Sequence, residues 1–306
     1  MRAGMVMEVA LRILRRHWAN ALVLALLFVG PGALLTAASG TRFNSVALDV
    51  FPGVSEGTLD DAATLTTGQL ERLVGALIAY LGATIVAGVL GSIGALGFST
   101  IVDADYHGRP SDLGEALRTA LRKAPSALAF ILLTTLIIVG IAITALVAML
   151  GVLTLFSTGS LQQGGPGVFI SLIIVVALVV GVVYLSLRWA MAYPVMAVED
   201  ARWRAALTRT WHLSGDNLGR ILFVLAFGTI LTLFASALIA QLLALVLVDV
   251  VAASVGLDPT IAETVVIAIG AVLLAPVLPI LTAVLYFDLR VRRDGEAPAA
   301  AADEGN

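Results

Sequence analysis

The chain has 306 residues, of which 59% are hydrophobic and 13% charged, with a formal charge of -3. Its mean hydropathy of +1.01, set against the roughly 25% charged residues of average soluble domains, excludes a water-solvated globular domain and indicates a lipid-solvated one. The absence of Cys excludes disulfides, thiolate metal sites and Cys nucleophiles, and 17 Arg against one Lys fits a high-GC bacterial source.

Residues 4–16 place Met5, Val9 and Ile13 along one flank and leave Arg12, Arg15 and Arg16 for another. That period predicts a helix lying in the headgroup plane. A bilayer core of roughly 30 Å takes about 20 apolar residues per helix, and the run 18–38 supplies the first. It exceeds the roughly 7–15 apolar residues of a cleaved signal, so it reads as a retained span. Residues 39–70, rich in Gly, Ser, Thr and Asp, form the longest loop and have no core of their own.

The second span, 73–102, carries Ala87, Gly91 and Ala95 as a small-xxx-small ladder for close helix packing. The turn His107-Gly108-Arg109-Pro110 connects it to a second amphipathic stretch, 112–123, with Leu113, Leu117 and Leu121 on its apolar flank. Further spans follow at 126–156, 168–187, 221–248 and 264–287. Pro31 in the first span, and Pro276 with Pro279 in the last, are expected to bend or break those helices. From Glu296 onward Ala, Pro, Gly, Asp and Glu offer nothing to bury, which predicts a disordered tail over 296–306 behind a single membrane domain, 1–295.

The expected fold class is all-α, a polytopic bundle of six spans with interfacial amphipathic helices. Segments 1–17, 103–124, 188–220 and 288–306 hold 16 of the 18 basic residues, and only Arg42 and Arg72 fall on the other side. By the positive-inside rule the Arg-rich side, with both termini, is cytoplasmic.

Three segments share a plan when set in gapless register: Ala10 to Leu27, Ala116 to Leu133 and Ala206 to Phe223. Each opens with Ala-Leu, and a second Leu follows eleven residues later, at Leu22, Leu128 and Leu218. The first two agree at 8 of 18 positions, including Arg12 with Arg118 and Arg16 with Arg122. The implied unit is an interfacial helix followed by a two-span hairpin, used three times.

The span cores contain no charged residue, with Asp249 and Asp288 at their ends, and Thr84, Ser92, Thr134, Thr135, Thr144, Thr229, Thr232, Ser236 and Gln241 form their polar remainder. Hydrogen bonds between helices are the expected use of these side chains. His17, His107 and His212 lack metal-ligand spacing and read as solvated interfacial residues. No phosphate-binding Gly-rich loop or nucleophile elbow is present, so no cofactor is expected. Arg118, Arg122 and Lys123 on one elbow, and Arg202, Arg204, Arg209 and Arg220 on another, are the candidate anionic-lipid ligands, because guanidinium donors match phosphate oxygens.

The string Arg188 to Asp200, the stretch Ala206 to Leu213 and the closing Tyr286-Phe287-Asp288-Leu289-Arg290-Val291-Arg292-Arg293 resemble the glycerophosphoryl diester phosphodiesterase membrane-domain family. The resemblance implies a six-span bacterial membrane module that stands beside a phosphodiesterase domain in some proteins and alone in others. The His-Arg-Gly and Glu-x-Asp motifs of that catalytic domain do not occur here. The expected function is a non-enzymatic plasma-membrane module serving membrane-lipid or envelope processes. Membrane lipids and other membrane proteins are its expected partners, and nucleic acid is not. A permease or lipid transporter with a path between repeat units is the alternative. A headgroup enzyme using Glu199, Asp200 and His212 is a third.

Overall fold

The computed structural model describes residues 3–50, 66–157, 166–215, 217–246 and 259–295. They form helices and no strand: α1 (Ala3–Arg16), α2 (Trp18–Leu24), α3 (Gly30–Val50), α4 (Thr67–Tyr106), α5 (Leu113–Ser157), α6 (Pro166–Trp189), α7 (Ala192–Val198), α8 (Trp203–Ser214), α9 (Leu218–Leu243), α10 (Pro259–Leu274) and α11 (Val277–Asp294). Six stretches are long and apolar enough to cross a membrane: Trp18–Val50, Thr67–Tyr106, Leu113–Ile141, Ile173–Val198, Leu218–Val246 and Thr260–Asp294. An all-α polytopic bundle is therefore the architecture. The expected tail, 296–306, lies outside the described residues.

Every span runs past its apolar run. The first continues as α3 to Val50, where a loop is expected from residue 39. The hydroxyls of Ser39, Thr41 and Ser45 donate to the carbonyls of Leu35, Ala38 and Arg42, so the polar residues are satisfied by the helix that carries them. At the other boundary Thr66 and Gln69 form a reciprocal cap that starts α4.

Six of the hydroxyls inside the spans follow the same rule, and Ser92 also makes the expected kind of bond between helices, to the Tyr193 hydroxyl. Thr84 donates to the carbonyl of Tyr80, Ser92 to Val89, Thr134 to Phe130, Thr144 to Gly140, Thr232 to Gly228 and Ser236 to Leu233. A bond to the preceding turn is always within reach, and it needs no partner helix at a matching depth.

Pro31 and Pro276 act as expected, whereas Pro279 lies within the first turn of α11 without ending it. Pro31 has no N–H to give the preceding turn, and the helix ahead of it widens into a π turn over Ala25–Val29. Pro276 separates α10 from α11. Gly295 ends α11 at φ 70°, a left-handed cap that a side chain would strain.

The second amphipathic stretch is not a separate interfacial element, since α5 runs unbroken from Leu113 to Ser157 through Pro125. The buried flank is in part the expected one. Ile13 is buried and Val9, Leu113 and Leu117 pack against the core, whereas Met5 and Leu121 are exposed. Val6 and Ala10 in α1 and Ala116, Ala120 and Ala127 in α5 are buried beside them. Ala10, Ala116 and Ala206, the opening residues of the three repeat segments, are all buried, so one register serves all three.

The core sits at one end. Leu96, Phe98, Ile101 and Val102 of α4 pack with Ile280 to Leu289 of α11, Met191 to Met196 around the start of α7, Val6 to Ile13 of α1 and Leu213 of α8. α1 packs on α11, so the described ends of the chain lie on the same face. Farther along, Ile78, Leu81, Val180, Phe234 and Leu238 are exposed, as lipid-facing side chains are.

The small-residue contact also shifts. A Cβ at Gly91 would meet nothing within 4 Å, whereas one at Gly32 would lie 2.7 Å from the Cα of Ala87, and one at Gly94 would lie 3.1 Å from the Cβ of Phe28. The first span thus presses on Ala87 and Gly94, one heptad apart, and leaves Gly91, the middle of the expected ladder, out of the contact.

Candidate functional site

The packed end gathers the interfacial helices, the starts of the odd spans and the ends of the even ones, and with them most of the charge. It is a collar of ion pairs joining segments remote in sequence. His17, the residue that separates α1 from α2, places Nε2 2.9 Å from Asp105 Oδ1 at the end of α4. Arg16 donates to the same oxygen from 3.2 Å. Asn20 donates to Ser111 Oγ at 3.0 Å, and Ser111 Oγ lies 2.7 Å from His17 Nδ1. Because the Asp105 carboxylate only accepts, Nε2 carries the proton of that bond, and Ser111 holds the other ring nitrogen. His17 is therefore enclosed by partners, not solvated, which corrects the sequence expectation. His107 Nδ1 caps the carbonyl of Asp103, and His212 is exposed.

The second repeat unit copies this clasp. Arg122 and Lys123 occupy the registers of Arg16 and His17, and both point at Asp200, at 3.4 and 2.5 Å. Asp200 holds φ 53°, a left-handed conformation that Asp tolerates better than most side chains. The hydrogen bond from Lys123, then its charge, hold the Asp200 carboxyl below its ordinary value.

The third unit departs from the pattern. Arg209 donates to Glu199 at 3.1 Å and pairs with Asp294, while Tyr286 donates to the same Glu199 oxygen at 2.9 Å. Arg220 reaches Asp288 at 2.8 Å, and Arg292 does so at 3.3 Å. Asp288 is only 3% exposed, so its charge is held almost out of water and depends on those guanidiniums. Arg188 lies over the rings of Trp211 and Tyr184, 4.7 and 5.2 Å from their centroids, and donates to the Trp211 carbonyl, which locks α8 onto α6.

The seven candidate lipid ligands divide accordingly. Arg122, Lys123, Arg209 and Arg220 are ion-paired within the chain. Arg118 and Arg202 are exposed and have no acidic partner among the described residues, and Arg204 stacks on Trp203 at 5.0 Å. Glu199, Asp200 and His212 do not converge, as each acid faces a different base. Among the described residues no group of three or more His, Asp or Glu could hold a metal ion. His17 with Asp105 escaped the sequence reading, although the repeat register that aligns His17 with Lys123 is its signal.

At the opposite end a cavity of about 530 Å³ lies where the first and third hairpins meet. Thr36, Thr41 and Asn44 of α3, Tyr80 of α4 and Glu263 of α10 line it, above Val29, Ala33, Ile267 and Ala271.

Comparison with protein-family models, curated proteins and solved structures yields no match to this chain.

Proposed function

We propose that this integral membrane protein is a non-enzymatic module of the bacterial plasma membrane, of the glycerophosphoryl diester phosphodiesterase membrane-domain type, with its basic face in the cytoplasm. Its role in this reading is to hold anionic lipid of the inner leaflet in membrane-lipid or envelope processes. The observation that carries it is the division of the arginines. The carboxylates Asp105, Asp200, Glu199, Asp288 and Asp294 each engage a base of the chain, while Arg118 and Arg202 face outward and Arg204 lies on Trp203. Anionic headgroups attract each such residue by about 1 kcal/mol, and the indole suits headgroup depth.

Replacing Arg118, Arg202 and Arg204 with Gln together tests the reading. Native mass spectrometry of the purified chain should show less phosphatidylglycerol or cardiolipin retained, with thermal stability unchanged. An unaltered lipid complement leaves these residues as topological anchors and refutes lipid retention.

A second reading, a permease or lipid transporter with its path between repeat units, draws support from the cavity between the first and third hairpins. Uptake or flipping of labelled lipid by the reconstituted chain tests it.

A further inference from the structure

The cavity between α3, α4 and α10 has an axial gradient of polarity. Moving from the far end toward the packed end, α3 presents Asn44, Thr41 and Thr36 and then Ala33, with Val29 of the π turn beyond it; α4 presents Tyr80 and then Ala87; α10 presents Glu263 and then Ile267 and Ala271. At 1.5 Å per residue the lining extends about 12 Å along α10 and about 22 Å along the first span. Three helices of both polarities change from polar to apolar in the same direction, which is the profile of one membrane leaflet viewed from the side.

Asn44 and Tyr80 of the polar rim can donate as well as accept, while its other polar groups only accept. Thr36 and Thr41 spend their hydroxyl protons on the carbonyls of Gly32 and Ala38, so only their lone pairs face the space. Glu263 is acceptor-only when ionised, is the one charged residue in the lining, and has no ion-pair partner among the described residues. Tyr80 offers its ring as well as its hydroxyl. The ring is fixed by Gly40, where a Cβ would come within 3.4 Å of it, and by a stacked Phe43 at 6.0 Å. Acceptors, one negative charge and an aromatic face together suit an N–H-rich cation.

From these features we propose that the cavity binds an amphiphile with a primary ammonium head and an aliphatic body, with the ammonium at Glu263 and the chain along Ile267, Ala271, Ala33 and Val29. Among membrane lipids this chemistry belongs to an ethanolamine-type headgroup. The volume falls within the range of about 300–1,000 Å³ that ligand sites occupy, and the apolar walls would be wasted on a soluble amine. The proposal deepens the transporter reading by naming its ligand class. It concerns binding alone, so a chain that binds the lipid without moving it would refute the transport path and leave the site standing.

The test uses the full chain in nanodiscs of equal phosphatidylethanolamine and phosphatidylglycerol, extracted into maltoside and weighed by native mass spectrometry. The wild-type chain should retain phosphatidylethanolamine, and Glu263→Gln should lower that retention about tenfold, the loss expected when one charge-assisted hydrogen bond is removed. Glu71→Gln, an acid on the same side but outside the lining, should change nothing. Glu263→Lys should turn the preference toward phosphatidylglycerol. Glu263 is exposed, so both variants should fold, and an unchanged thermal midpoint for Glu263→Gln checks this. Equal phosphatidylethanolamine retention by wild type and Glu263→Gln overturns the proposal. So does displacement of the lipid by free ethanolamine, which would make the ligand a soluble amine.

Discussion

His17 Nε2 lies 2.9 Å from Asp105 Oδ1, and the bond closes the first hairpin by joining the residue before its first span to the end of its second. Lys123 and Asp200 close the second hairpin in the same way, at 2.5 Å. His17 and Lys123 stand in the same register of the repeat, so the two hairpins carry a common clasp. Each clasp holds the packed end of its hairpin together.

Replacing His17 with Ala should destabilise the chain by about 1–3 kcal/mol, because it strands the Ser111 hydroxyl and the Asp105 carboxylate at a largely buried site. Thermal unfolding in maltoside would register this as a lowered midpoint. No shift would mean that Arg16 alone holds Asp105.

Asp288 should be the most sensitive acid at the packed end. Asp288→Ala leaves Arg220 facing a buried position without its carboxylate, a change that costs about 3–5 kcal/mol for buried pairs. The combination Arg220→Met with Asp288→Leu should cost less than the two single substitutions added together. Additive losses in denaturation midpoints would show that the two residues act independently.

Two glycines separate the contact in the fold from the motif visible in the sequence. Gly32→Ala drives a methyl group against the backbone of Ala87, 2.7 Å away, and should cost about 1–3 kcal/mol as overpacking does. Gly91→Ala meets open space and should be neutral or stabilise by about 0.5–1 kcal/mol through helix propensity. The same unfolding assay reads both, and equal losses would contradict the observed packing.

The six spans were legible because each needs an apolar run of fixed length, a property of composition alone. Their ends were not, because Ser39, Thr41 and Ser45 look like loop residues yet bond to their own helix. The basic character of the collar was legible from the position of the arginines. Which arginines remain available was not, since Arg16 reaches Asp105 across 89 residues and Arg209 reaches Asp294 across 85. Helical periodicity carries no information about such pairs. The repeat register does, and it would have linked His17 to Lys123.

The clasp of the second hairpin should respond to acid. Lys123 holds the Asp200 carboxyl below its ordinary value, so the folded state binds this proton less readily than the unfolded chain. The pair's contribution is therefore fully present above the ordinary carboxylate range and is lost as pH falls through the depressed value. Wild type and Asp200→Asn should differ in thermal midpoint at pH 7, and the difference should shrink toward pH 3. Asp200 is exposed, so added salt should narrow the gap as well. A gap that persists at pH 3 would show that the charge of Asp200 is not its source.

Orientation can be read directly because the chain has no Cys. The side to be placed in the cytoplasm holds 16 of the 18 basic residues, and translocating so many would oppose the positive-inside rule. Thr210 is fully buried in α8, so a Cys there would escape reagents from either side, whereas Thr208 and Asp49 are exposed. With a membrane-impermeant maleimide on intact cells, Asp49→Cys should label and Thr208→Cys should label only after permeabilisation. The reverse pattern would invert the protein in the membrane and place the arginine collar outside the cell. The lipid proposals for both ends would then exchange leaflets.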